Sequence, residues 1–235
     1  MKQHLRRIKH SLRKLFYSKE ERRHSLVGPA FLWKQKREFQ ITFLKDNGLQ
    51  PEHFLLDLGC GTLRGGIPII DYLQPGHYYG IDVRENVLRE ARKELKENGL
   101  QFKKPILIKI DRLKSLSLGL KFDIIWAFSV LFHMDDNTLD ECFGFVKKHL
   151  KSNGVFFSNV SLGNEYGKWE EFPFIKRNLE LYEILAKNHY LNMTVLGTLS
   201  ELGHILGEPS HDSQVMLKFT HSKKDGKTNN GKNIG

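Results

Sequence analysis

Three carboxylates close three short apolar runs: Asp57 in "FLLDLGCG", Asp82 in "YYGIDV" and Asp111 in "ILIKID". A glycine turn, Gly59-Cys60-Gly61, follows the first of them, and Arg64, Gly65 and Gly66 come next. An acid, a turn that lets backbone approach a ligand closely, and a second acid 25 residues after the first are parts of a nucleoside site. A carboxylate at 82 can accept hydrogen bonds from both hydroxyls of a ribose; it also suits a cap for a helix beginning at Glu85. Asp111 stands where an adenine would be reached next, or serves as a surface cap. A pyrophosphate fingerprint needs glycine or alanine at its sixth place, where this chain has Arg64, so a dinucleotide such as NAD is disfavoured. Three acids without a phosphate cradle suit an adenosine ligand with a positive centre.

Two histidines fall at the same edge. His133 lies in "LFHMDD" just past a fourth apolar run, and His211 lies in "GEPSHDS" before the last one. Each is placed to take a proton from an acceptor hydroxyl, and each equally suits a structural or substrate-contacting role. The adjacent Asp135 and Asp136 read as solvated or as a helix N-cap rather than as metal ligands. The two cysteines, Cys60 and Cys142, have no metal-type spacing and fit a reducing compartment. Cys60 reads as a small buried filler of its turn.

These residues need elements to hold them. Strands are predicted over His53–Gly59, His77–Val83, Pro105–Ile110, Phe122–Val130, Val155–Val160, Leu191–Leu199 and Gln214–Thr220. Helices are predicted over Gly65–Leu73, Glu85–Asn98, Asn137–Leu150 and Phe172–Asn188, the second and third stopped by Gly99 and by Asn153-Gly154. Alternation of helices with continuously apolar strands means a doubly wound α/β fold, a mostly parallel seven-stranded sheet with helices on both faces. Ligands of such sheets sit at the carboxyl ends of the strands, where the glycine turn falls.

Charge divides the chain. Of the net +10, residues 1–40 hold 12 basic against 3 acidic side chains, and residues 221–235 hold 4 lysines against Asp225. Residues 41–220 carry 21 basic and 23 acidic side chains, so the body has no basic nucleic-acid face. The chain therefore reads as an N-terminal arm, 1–27, a domain, 28–220, and a polar basic tail, 221–235. In the arm, Leu5, Ile8, Leu12, Leu15 and Phe16 line one arc of a helix, with Arg6, Arg7, Lys9, Arg13 and Lys14 around it. Residues 1–23, with 9 basic and 2 acidic side chains, suit a reversible contact with an anionic membrane surface. A lid helix on the domain and a nucleic-acid arm are the alternatives. No apolar run is long enough to span a bilayer, and the first residues lack a secretory signal's apolar centre. A cytoplasmic location, peripheral to the inner face of a membrane, is the expectation.

Taken together in order and spacing, "LLDLGCGT", "YYGIDV", "IKID", "FDIIWAFSVLFHM" and "FVKKHLKSNGVFFSNV" resemble the class I S-adenosylmethionine-dependent methyltransferase family over about residues 30–220. The resemblance implies S-adenosylmethionine as cofactor, held by Asp57, the Gly59-Cys60-Gly61 turn, Arg64, Asp82, Asp111 and Phe128, with His133 and His211 as the catalytic candidates. One departure is Leu63, where the family often has a third glycine. The Asn/Asp-Pro-Pro-aromatic turn common to methylation of amide or base nitrogens is missing, since no proline lies between Pro105 and Pro173. The expected acceptor is an oxygen of a small molecule, glycan or lipid-linked compound; a protein or RNA acceptor, or a binding module that has lost turnover, are the alternatives. Val27–Phe39 and Asn164–Phe174, with Trp33 and Trp169, are the expected substrate lid.

Overall fold

The computed structural model describes residues 18–28 and 32–222. After two N-terminal helices, α1 (Lys19–Ser25) and α2 (Trp33–Asp46), the chain alternates β1 (Leu55–Leu58), α3 (Gly66–Tyr72), β2 (Tyr78–Asp82), α4 (Glu85–Glu97), β3 (Ile106–Lys109), β4 (Phe122–Ala127), α5 (Asp136–His149) and β5 (Leu150–Val160). A hairpin of β6 (Tyr166–Trp169) and β7 (Phe172–Ile175) comes next, then α6 (Leu179–Asn188), β8 (Leu191–Thr198), a short α7 (Pro209–Asp212) and β9 (Val215–His221). The main sheet has seven strands in the order β3-β2-β1-β4-β5-β9-β8. β1 to β5 are parallel, and β9 runs antiparallel to both β5 and β8. This is the doubly wound sheet that the strand–helix alternation implies.

The sheet covers itself on both faces. One layer packs Leu56, Ile125 and Phe156 against Leu139, Phe143 and Val146 of α5. The other packs Leu55, Ile124, Trp126 and Phe157 against Phe43, Ile69, Leu88 and Leu95. Continuously apolar strands are the consequence of two covered faces. β1 lies between β2 and β4, so the chain switches direction across the sheet beside β1, and a crevice opens above its carboxyl end.

Two predicted elements are corrected. Phe172–Asn188 is not one helix: Phe172–Ile175 pairs with Tyr166–Trp169 as a hairpin, and the helix starts only at Leu179, where the side chain of Asn178 accepts from the Leu181 N–H. Pro173 biases the residue before it toward extended backbone, which favours the strand. The expected lid stretch Val27–Phe39 is helical from Trp33, whose ring is buried in a 3.5 Å stack on His24, while Val27, Gly28 and Lys36 of the same stretch line the cavity described below. Residues 1–17, with the apolar arc of the arm, lie outside the described residues, as do 29–31 and the tail from 223. The described end of the arm is docked: Arg23 is buried between Glu94 and Glu97, 2.6 Å from each, and Glu90 at 3.2 Å, while Arg37 also reaches Glu94. No helix among the described residues is long and apolar enough to cross a membrane.

Candidate active site

The glycine turn is built by hydrogen bonds onto the end of β2. Gly59 N–H and Cys60 N–H both donate to the Ile81 carbonyl, and Gly61 N–H donates to Asp82 Oδ2 at 3.1 Å. Gly59 and Gly61 hold φ of 71° and 57°, a region open to glycine at no steric cost. Leu63 holds φ 63° as well, so it adopts the backbone of the family's missing glycine while its side chain is fully buried in the core. Gly66 then lets α3 approach β2: a Cβ there would stand 2.6 Å from the Tyr78 hydroxyl and from Leu63 Cδ2.

A cavity of about 750 Å³ opens above this turn. Gly59, Arg64, Asp82, Asp111 and Phe128 line it, and so do His133 and His211. The strand ends thus bring together seven of the expected site residues. Asp57, Cys60 and Gly61 are not in its wall. Gly61 still acts on the cavity through its hydrogen bond to Asp82, whereas Asp57 and Cys60, expected among the cofactor's ligands, are buried behind the wall as internal supports. Cys60 is buried, its thiol held in protonated form by burial.

Asp57 is 5% exposed and accepts a 2.6 Å hydrogen bond from the Tyr78 hydroxyl. Burial pushes its carboxyl up to about 7, against the opposing pull of that hydrogen bond. A raised native value means that the folded chain keeps a proton which the unfolded chain releases, so this group's contribution to stability is lost as pH rises from about 4 to 7. Tyr78→Phe should lower stability by about 1–2 kcal/mol in urea, and it should extend the pH-dependent decline upward, because the opposing hydrogen bond is gone. An unchanged midpoint at pH 7.5 would contradict this role for Tyr78.

Asp82 is not a helix cap. Its Oδ1 accepts from the Arg84 N–H at 2.9 Å, outside α4, and its other oxygen accepts from Gly61. A carboxylate has about four lone-pair positions, so acceptors remain for a ligand's diol. Asp111 is exposed and paired with Lys109 at the cavity rim. Arg84 bonds the Leu26 carbonyl at 3.1 Å and Arg64 the Val27 carbonyl at 2.7 Å, so the turn after α1 is tied across the site.

His133 ends a short turn after β4. Its Nδ1 lies 2.8 Å from the Pro173 carbonyl, an acceptor only, so Nδ1 carries the proton and Nε2 is left as the acceptor. Phe132, Trp169, Phe172 and Phe174 surround its ring. Burial holds the imidazole below its ordinary value, opposed by the Pro173 carbonyl. His211 is pushed lower, to about 4, by burial beside Lys36 and Arg64. Asp135 caps α5 through the Thr138 N–H, and Asp136 pairs with Arg177.

Among the wall residues that were not anticipated are Ser129 and Gln214. Ser129 holds φ 63° at the end of β4, and its N–H donates to Asn159, which in turn donates to Gln214. Gln214 lines the cavity beside Lys36, which is 3% exposed. Nothing in the local sequence marks Ser129 or Gln214, because each is set by strands distant in the chain.

Residues 56–156 match the model of a methyltransferase-domain family. The fold superposes on solved structures at low identity. One is an S-adenosylmethionine-dependent methyltransferase from Clostridium acetobutylicum: 19% identity, TM-score 0.62, 81% of this chain and 92% of that one. The match and the superposition give residues 56–156 the sequence pattern of a methyltransferase domain and the chain the fold of these enzymes. Another structure is magnesium protoporphyrin IX methyltransferase from Synechocystis with bound S-adenosylmethionine: 16%, TM-score 0.64, 91% and 97%. A third is the glycopeptide N-methyltransferase MtfA with S-adenosylmethionine: 12%, TM-score 0.61, 80% and 94%.

S-adenosylmethionine, the cofactor bound in two of these structures, fits the site. Side chains at 59 or 61 would fill the cradle, a Cβ meeting Val130 at 2.7 Å or Val27 at 2.8 Å, both of them wall residues. Asp82 offers acceptors to a ribose. Arg64 is buried beside the turn, and its Nε is without a partner among the described residues, a donor suited to a carboxylate.

Proposed function

We propose that this chain transfers a methyl group from S-adenosylmethionine to an oxygen of a small molecule or glycan, with His133 as the proton acceptor. The observation that carries the reading is the tautomer of His133, whose Nδ1 is committed to Pro173 and whose Nε2 is free in the cavity wall. When bound, the cofactor supplies an electrophilic methyl on its sulfonium. Asp82 holds the ribose, while Asp111 and Phe128 border the adenine. The hairpin's Trp169 and Phe172 cover the site from above, excluding water from the transfer. As the acceptor oxygen bonds to the methyl carbon, the carbon–sulfur bond breaks and its electron pair stays on sulfur, leaving neutral S-adenosylhomocysteine, while the acceptor's proton passes to His133 Nε2. His211 belongs to the acceptor's surroundings, and its low proton affinity beside two cations makes it the poorer base.

The test has two stages. Calorimetry should first show saturable binding of S-adenosylhomocysteine. Incubation with labelled S-adenosylmethionine and fractionated small molecules and glycans should then give a product whose methyl resonates as an O-methyl by NMR. An N-methylated product, or a methylated protein or RNA, removes the acceptor class. Binding without transfer to any fraction supports instead a cofactor-binding module without turnover.

The second part of the reading concerns residues 1–17. Their apolar arc and basic neighbours support a peripheral contact with anionic lipid on the cytoplasmic side of a membrane. Because Arg23 anchors α1 to α4, the truncation that tests this should stop before Ser18. The full chain is expected to float with anionic vesicles at low salt and to be released by salt, while a chain lacking residues 1–17 stays in solution. Equal behaviour of the two refutes the contact.

A further inference from the structure

The cavity carries in its wall two cations that the expected ribose and adenine contacts do not use. Lys36 on α2 and Arg64 after the glycine turn both line it, at 3% and 8% exposure. Among the described residues, no carboxylate lies within ion-pair distance of either, and no hydrogen-bond acceptor is found for the Lys36 ammonium. Arg64 spends one nitrogen on the Val27 carbonyl and leaves Nε buried without a partner. The groups facing Lys36 are Arg64 from the turn and His204 and His211 from the connection between β8 and β9, and Asp212 lies near the two histidines. Asp57 lies behind Arg64 and shares its proton-binding range with neutral pH. Asp57 gives Arg64 a partial counter-charge from behind, but Lys36 has none, and a buried cation without one is costly unless a ligand pairs it.

The cofactor cannot balance both. Its amino-acid end brings one carboxylate together with an ammonium, and its sulfonium adds a further positive charge. One arginine satisfied by that carboxylate still leaves the lysine facing a cavity of net positive charge. The geometry points to an acceptor that is itself an anion, its carboxylate or phosphate-type oxyanion held by the Lys36 ammonium beside Ser210 and Gln214, with its hydroxyl directed to His133. This rests on the methyltransferase reading and narrows the substrate class. Burial and Arg64 lower Lys36 to about 7, so the charge that attracts the oxyanion is present below neutrality and fades above it. A bound anion would hold the ammonium protonated to higher pH.

The experiment uses the full chain saturated with S-adenosylhomocysteine, titrated with acetate and with sulfate at constant ionic strength; both keep their charge between pH 6 and 8. Saturable binding of at least one is expected at pH 6, weakening about tenfold by pH 8 as the ammonium is lost. Acetate preferred over sulfate indicates a carboxylate acceptor, and the reverse a phosphate-type one. Lys36→Met should abolish the binding and leave the affinity for S-adenosylhomocysteine within about twofold; if that variant does not fold by circular dichroism, Lys36→Gln replaces it, and the pH arm on the native chain stands by itself. No saturable binding to the wild-type complex overturns the proposal. So does a tenfold or larger loss of S-adenosylhomocysteine affinity in Lys36→Met with unchanged affinity for 5′-methylthioadenosine, which lacks the carboxylate: Lys36 would then serve the cofactor. A wild-type chain that binds no S-adenosylhomocysteine defeats the methyltransferase reading itself, a result separate from either of these.

Discussion

Asp82→Ala should weaken S-adenosylhomocysteine binding by about 2–4 kcal/mol, roughly 30- to 900-fold in Kd. Two losses add. The ribose hydroxyls lose their acceptor. The Gly61 and Arg84 N–H groups also lose theirs, so the glycine turn is released from the end of β2 and the cradle loosens. Asp82→Asn separates the two. An amide oxygen can still accept from one backbone N–H, but the amide nitrogen faces the other with a donor against a donor. Asn should therefore bind with an intermediate affinity. Calorimetry on both variants, with thermal melts to confirm folding, checks this; an affinity within threefold of wild type in a folded Asp82→Ala protein removes the ribose assignment.

What the sequence made legible follows from how local each cause is. β1, the glycine turn and Asp82 could be read because an apolar run bounded by glycine admits few structures, and because the strand-end position is set by the run itself. Asp57 shows the limit. It has the residue type and spacing of a ligand, yet Tyr78 on the neighbouring strand takes its carboxylate at 2.6 Å and the cavity wall passes it by. That pairing depends on the β1–β2 register, Leu55 opposite Tyr78, which no local pattern encodes. Lys36 fails in the other direction. In "WKQKREF" it looks like one of several solvated charges. It is buried because the first turns of α2 lie against the Arg64 turn, where Arg37 donates to the Arg64 carbonyl and Gln40 bonds Trp126. The hairpin Tyr166–Ile175 was hidden because Phe172 to Asn188 has enough apolar residues for a helix, and only the Pro173 backbone and the Asn178 cap divide it.

His133→Ala should lower kcat by about 10²-fold with cofactor affinity retained, the usual contribution of a positioned general base. The loss falls on kcat because the side chain meets the acceptor's proton and not the ribose or adenine. His133→Gln is the sharper control: its amide can keep a hydrogen bond to the Pro173 carbonyl and preserve the seat of the hairpin, but it cannot take a proton. It should be as slow as alanine if proton transfer is the role, and close to wild type if His133 only positions Trp169 and Phe174. The pH profile gives the sign. Burial holds the imidazole below its ordinary value near 6.5, so the neutral, proton-accepting form prevails at and above neutrality. At saturating acceptor kcat should be level there and fall only as pH drops below that value, as His133 becomes protonated. In His133→Gln this acid limb should vanish together with the fast rate. An acid limb that persists at the same position in the variant assigns it to another group, and a variant at full rate ends the role of His133 as the base.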